Sequence, residues 1–151
     1  MDDYANFIKS VYYFNSLSNE NIARILKVCS CQVFDTGRVI FEEGSPGDAF
    51  YIIIKGTVEI WKNYDKKDMN LVAIQGPGSF FGEMAIIDSL PRSATVKTIE
   101  EVRTLVISRH DFLKIVEENS SIALAIMRSM SSVLRSSTEK LFTNLNVKSK
   151  L

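Results

Sequence analysis

All seven glycines of the chain lie between Gly37 and Gly82, and all three prolines lie between Pro46 and Pro91. These residues punctuate regular structure, so their confinement marks the middle of the chain as turn-rich and leaves both ends free to run as helices. A central β region flanked by helices is the arrangement that follows. At 151 residues the chain has the size of one domain. That is long enough to bury a core without disulfides or a structural metal.

The ends carry helical signals. In "SNENIARILKVCS", Ser18 is placed to cap a helix, and Ile22, Ile25, Leu26 and Cys29 recur at helical spacing. Upstream, "NFIKSVYYFNSL" reads as a further helical turn whose Phe14 and Leu17 pack inward. From Gln32 the period changes to two. Short strands alternate with turns at Asp35–Gly37, Gly44–Asp48 and Lys55-Gly56, with a polar hairpin tip at "NYDKKDMN" and another turn at "GPGS". "SATVKTIEEVRTLVIS" supplies two more strands. Many short strands at regular spacing point to a β-roll, a double-stranded β-helix of jelly-roll type.

After Ser108 the pattern is helical again. Ser108 and Asp111 stand at the spacing of a capping box, and "SIALAIMRSMSSVLRSSTEKLFTNL" reads as one long helix. Ala123, Met127, Met130, Leu134, Ser137, Leu141 and Leu145 form one stripe on it, and Ile122, Ile126 and Val133 a second. One strip would cover the β-roll and the other meet a partner helix, so a homodimer through this helix is expected. The resulting division is a single domain over 1–151: helical start 1–31, β-roll 32–107, C-terminal helices 108–145 and tail 146–151.

Several function classes are disfavoured. The charge is balanced, with 18 basic and 18 acidic residues, which argues against a nucleic-acid surface as the main interface. Cys29 and Cys31 are too close for a relaxed disulfide, and with only His110 elsewhere they lack the roughly four ligands of a zinc or iron–sulfur centre. The expectation is two buried or half-buried thiols in a reducing compartment. A metal-dependent cupin needs several histidines and a carboxylate. His110 is expected at the surface or in a cap, and no catalytic set is proposed. No apolar run is long enough to span a bilayer, and "MDDYANFIKS" is not expected to act as a signal peptide. The cytoplasm is the expected location, with Ser149-Lys150-Leu151 matching a peroxisomal address as the alternative.

The chemistry concentrates in "FGEMAIIDSLPRSATV". Gly82 permits close approach of the backbone to a ligand. Glu83 is an acceptor suited to adjacent sugar hydroxyls. The segment "EMAIIDS" can form one or two helical turns whose first amides, near Met84 and Ala85, face an anion. After Pro91, Arg92 offers a permanently charged fork for phosphate. Ser93 and Ala94 add amides and a hydroxyl. A glutamate for ribose and an arginine with amides for phosphate suit a nucleotide with one negative charge. The alternative is an internal Glu83–Arg92 ion pair.

These residues closely resemble the phosphate-binding cassette of cyclic-nucleotide-binding domains, of the kind found in catabolite activators and protein kinase regulatory subunits. The pattern is F-G-E-L/M-A followed by x-P-R-x-A-T-V, matched by Phe81, Gly82, Glu83, Met84, Ala85, Pro91, Arg92, Ala94, Thr95 and Val96. Upstream, "GRVIFEEGSPGDAFYIIIKGTVEIW" is similar to the family's stretch, with Gly37, Ile40, Gly44, Gly47, Asp48, Tyr51, Ile53, Gly56 and Val58 in place. The resemblance implies a non-catalytic sensor. Glu83 would bind the ribose 2′-hydroxyl and Arg92 the cyclic phosphate, with Gly82, Ala85, Ser93 and Ala94 lining the sugar-phosphate.

The residue after the arginine is often threonine in cGMP binders and alanine or serine in cAMP binders. Ser93 therefore places cAMP first and leaves cGMP open. "SSTEKL" resembles the central helix of the catabolite activators, where a Thr-Ser pair contacts adenine across the dimer; Ser137 and Thr138 hold those positions. A polar register-setting break in the helix seam is the other reading of that pair. "TNLNVKSKL" is too short for a helix-turn-helix, so no DNA-binding segment is expected in this chain, and a downstream effector is left unnamed. A ligand-free dimerisation scaffold that kept only the fold is the competing expectation.

Overall fold

The computed structural model describes residues 2–11 and 14–148, with side chains described from Asp3 as far as Thr143. Tyr12, Tyr13, the side chain of Leu145 and the Ser149–Leu151 tripeptide lie outside the described set.

Two helices open the chain, α1 (Asp2–Ser10) and α2 (Asn19–Val28). Ser18 caps α2 as its sequence suggests, its hydroxyl accepting from the Asn21 amide at 3.2 Å. Eight strands follow: β1 (Ser30–Phe34), β2 (Val39–Phe41), β3 (Ala49–Lys55), β4 (Val58–Lys62), β5 (Asn70–Gln75), β6 (Phe80–Phe81), β7 (Thr95–Thr98) and β8 (Val102–Ser108). A five-residue helix, α3 (Glu83–Ile87), interrupts them. The chain ends in α4 (Arg109–Glu118) and the 29-residue α5 (Ser120–Lys148). Ser108 accepts from the Asp111 amide at 3.1 Å, and Asn119 caps α5 through Ile122.

The strands form two antiparallel four-stranded sheets, β1-β8-β3-β6 and β2-β7-β4-β5. This is the β-roll with flanking helices that the sequence suggests. The Lys55-Gly56 turn stands between two strands as the sequence suggests, and because β3 and β4 belong to different sheets it carries the chain across the roll. Gly56 has φ +85°, and a Cβ there would collide with the Glu101 carbonyl.

β3 explains why the period of two fades along "AFYIII". Its residues are buried from Ala49 to Ile53 because both faces are covered. Tyr51 and Ile53 point between the sheets, where Tyr51 stacks on Phe81 at 5.0 Å, beside Val58, Val96 and Val102. Phe50 and Ile52 point outward into a helical layer with Phe14, Ile25, Phe112, Ile122 and Ile126.

The two strips expected on α5 are redrawn by the structure. Ile122, Ala125, Ile126 and Ser129 are buried against the domain and Met130 half-buried. From Ser131 to Thr143 every residue is exposed, including Val133 of the second strip and Leu134 and Leu141 of the first. The helix outruns the domain it packs on, so helical periodicity alone set the strip too long. The cysteines also differ from expectation. Cys29 is half-buried, with its thiol donating to the Ile25 carbonyl at 3.1 Å, but Cys31 is exposed on β1. His110 is exposed, as expected.

Candidate functional site

The roll and α5 enclose a cavity of about 650 Å³. Eight of the nine residues singled out in the sequence line it: Gly82, Glu83, Met84, Ala85, Arg92, Ser93, Ala94 and Ser137. Thr138 is outside the lining and turns its hydroxyl onto its own helix, donating to the Leu134 carbonyl at 2.9 Å.

Local folding sets the polar end. Gly82 has φ +88° at the start of α3, and a Cβ there would approach Arg92 Nη1 to 2.6 Å. Any other residue would be strained and would displace the guanidinium. Ala85 and Ile86 bury the inner face of α3, whereas Met84, Ile87 and Leu90 are exposed. The segment after α3 returns to the β2–β3 turn, where the Arg92 amide donates to the Ser45 carbonyl and the Gly44 amide to the Arg92 carbonyl, both at 2.8 Å.

Arg92 is 3% exposed. Nη1 donates to the Gly82 carbonyl and Nη2 to the Ala49 carbonyl, each at 2.9 Å. Nη2 also meets Asp48 Oδ1 at 3.2 Å, and the guanidinium lies 4.0 Å over the Phe41 ring. A buried guanidinium without acceptors would be costly, and here protein acceptors brace it. One donor is left over: Nε is buried without a partner.

Glu83 is not the partner of Arg92. The ion pairs among the described residues join Arg24 to Glu20, Lys62 to Glu43 and Arg92 to Asp48, which removes the internal Glu83–Arg92 bridge as an explanation for the cassette. Glu83 is half-buried in the cavity wall. Burial pushes its carboxyl above the usual range, opposed by its own backbone amide and by the Arg92 charge. A carboxylate held away from its neighbouring cation is free to accept from a ligand.

Three residues escaped the sequence reading. Lys62, on β4, bridges Glu43 at 2.5 Å and the Ser93 carbonyl at 2.6 Å and lines the cavity. Holding that carbonyl toward Lys62 turns the amide of the same planar peptide, that of Ala94, the opposite way. Asp48 holds Arg92 through its side chain, while its carbonyl accepts from the Arg109 amide at 2.8 Å, at the start of α4. Gln75 ends β5 on the cavity wall. Each is brought in by pairing between distant segments, and only Asp48 had a local signal, its place in the Gly44–Asp48 turn.

A family model for the cyclic nucleotide-binding domain matches residues 31–119. The chain belongs to that family. It is 33% identical over 85% of its length to the "CRP-like cAMP-activated global transcriptional regulator" of Mycobacterium tuberculosis, spanning 57% of that protein. It is 32% identical over 74% of its length to cGMP-dependent protein kinase 2 of Mus musculus, spanning 15% of it. Among solved structures, the Thermus thermophilus catabolite activator protein superposes with a TM-score of 0.77 at 26% identity, over 85% of this chain and 61% of that one. The domain thus occupies between a seventh and about three fifths of these longer relatives. Among the described residues, no helix is long and apolar enough to cross a membrane and no cluster of metal-binding side chains is present.

Proposed function

We propose that this domain is a non-catalytic cytoplasmic sensor that binds a cyclic nucleotide in the cavity, cAMP in preference to cGMP, and relays binding through α5. The observation that carries it is the unpartnered Nε of a buried Arg92 in the wall of a cavity that Glu83, which forms no ion pair with it, also lines. A phosphate engaging Nε and Nη2 as a bidentate fork supplies the missing acceptor. The bond it displaces most readily is the one to Asp48, which is the longest of the three and whose side chain is 85% exposed and easily rehydrated. The Met84 and Ala85 amides and Ser93 and Ala94 complete the phosphate shell. Gly82 allows close approach, and Glu83 takes the ribose hydroxyl.

Ser137 reaches the base from α5, and Thr138, directed off the cavity, is available to a second copy across a homodimer formed by the exposed part of α5. The domain then divides functionally as 1–31, 32–107 and 108–145, with the tail 146–151 outside the binding unit. The relay begins at Asp48: loosening its carboxylate acts on the residue whose carbonyl anchors α4. Isothermal titration with both nucleotides tests the reading. Micromolar or tighter binding of cAMP, lost in Arg92→Ala, supports it; absence of binding to either nucleotide overturns it. Ser93→Thr is expected to raise the relative affinity for cGMP.

A second reading, a ligand-free scaffold, is favoured by the bracing of Arg92 by Gly82, Ala49 and Asp48. It expects no thermal shift on adding either nucleotide.

A further inference from the structure

One polar atom on the cavity wall has no partner of its own. Gln75 Oε1 is buried and accepts no hydrogen bond. Its backbone is fixed by the pairing of β5 with β4, where Gln75 lies opposite Val58. Only the side-chain torsions can therefore respond. Ile60, Val72, Ala73, Ile74 and Val133 give the same cavity an apolar stretch, and none of its side-chain donors, Lys62, Ser136, Ser137 and Lys140 among them, bonds Gln75 Oε1. Buried acceptors are almost always satisfied, so a stranded one beside a ligand cavity marks a bond made in the bound state.

Resting on the cyclic-nucleotide reading, we propose that Gln75 reads the base and favours a 6-aminopurine. Arg92 and Glu83 account for the phosphate and ribose, leaving the base for the apolar wall that holds Gln75. The carboxamide presents an acceptor and a donor side by side. Adenine offers the complementary pair on both of its hydrogen-bonding edges, an exocyclic N–H₂ beside a ring nitrogen. Guanine offers two acceptors on its N7 edge and matches an amide on the edge carrying N1–H and, beside the ribose, at N2–H₂ and N3. The terminal torsion of glutamine is broad and two-fold, so the amide can turn its oxygen to the base at little cost.

The test titrates the protein and its Gln75→Leu variant with cAMP and with the cyclic phosphate of purine riboside, which lacks the 6-amino group. The native protein is expected to bind the analogue roughly five- to tenfold more weakly than cAMP, and Gln75→Leu to bind the two alike. Gln75→Glu, an acceptor-only group facing the N1–H and N2–H₂ donors of guanine, is expected to shift preference toward cGMP. Thermal unfolding of the unliganded variants checks folding, and Gln75→Leu, which removes an unsatisfied acceptor, is expected to be no less stable than the native chain. An equal loss with the analogue in native and Gln75→Leu protein overturns the role of Gln75 while leaving the cyclic-nucleotide reading intact. Failure of the native protein to bind cAMP and cGMP overturns both.

Discussion

The two walls of the cavity are built differently. The cassette wall is pinned: Arg92 is held by three acceptors, Ala85 and Ile86 are buried, and the Arg92 backbone is tied to the β2–β3 turn. The α5 wall is not. Ser132, Val133, Ser136, Ser137 and Lys140 line the cavity from a stretch in which every residue to Thr143 is exposed, with Leu134 at 72% and Phe142 at 65%. A ligand placed between them meets one wall already organised and another whose position is set by little within its own domain. Ordering the second wall is where binding free energy can be converted into movement.

The sharpest way to break this comparison is along α5 itself. Ile122→Ala, in the buried half, is expected to cost about 3 kcal/mol of stability. Leu134→Ala, three turns on, should cost less than about 0.5 kcal/mol in the monomer. Urea unfolding of both variants decides it; equal losses would mean that the exposed half packs on the domain in solution. If the proposed homodimer forms through α5, sedimentation should show a concentration-dependent dimer of the native chain that Leu134→Glu abolishes. Next in size is Arg92→Ala, for which nucleotide affinity is expected to fall roughly a hundredfold or more, while Arg92→Lys, charged but without the fork, falls less. Lys62→Met comes third, with a loss of roughly fivefold for cAMP and cGMP alike, because it orders the strand after Arg92 and does not face the base.

The smallest effect concerns Glu83. Burial raises its folded-state pKa, so the folded protein holds this proton more tightly than the unfolded chain. Its ionisation therefore subtracts stability as pH rises above the unfolded value, about 4.3, and the penalty is complete once the folded value is passed. Glu83→Gln should melt above the native protein at pH 7, the difference closing toward pH 4. A constant difference across that range would show that the charge of Glu83 is not what burial opposes.

How much of this was legible in the sequence follows from the range of the contacts involved. The cassette is contiguous, so Gly82, Glu83 and Arg92 announce themselves within a dozen residues, and the capping serines Ser18 and Ser108 do the same. The antiparallel roll was readable from the spacing of its turns. What stayed hidden depends on pairing. Lys62 reaches Ser93 only because β4 lies next to β7, and Asp48 reaches Arg92 because the β2–β3 turn folds over the cassette. β6 has two residues, too few to show a period. The extent of the covering strip on α5 depends on where the roll ends beneath it, which helical spacing does not encode. The half-buried state of Cys29, whose thiol pKa is pushed up to about 12 by desolvation, and the exposure of Cys31 two residues on are set by a helix giving way to an edge strand.

The strand order β1-β8-β3-β6 has a consequence for how the chain is made. β8 lies between β1 and β3, with Cys31 opposite Leu105 and Ile52 opposite Leu105 on its other side. A growing chain that has emerged only as far as Ile99 holds β1 and β3 with their shared partner still inside the ribosome. The first sheet, and with it the seat of the helical layer, closes only after Val102–Ser108 has followed. Such long-range closure makes folding slow relative to a helical domain of this size. It leaves Phe50 and Ile52 as the apolar surface that a nascent chain must keep from other partners until β8 has emerged.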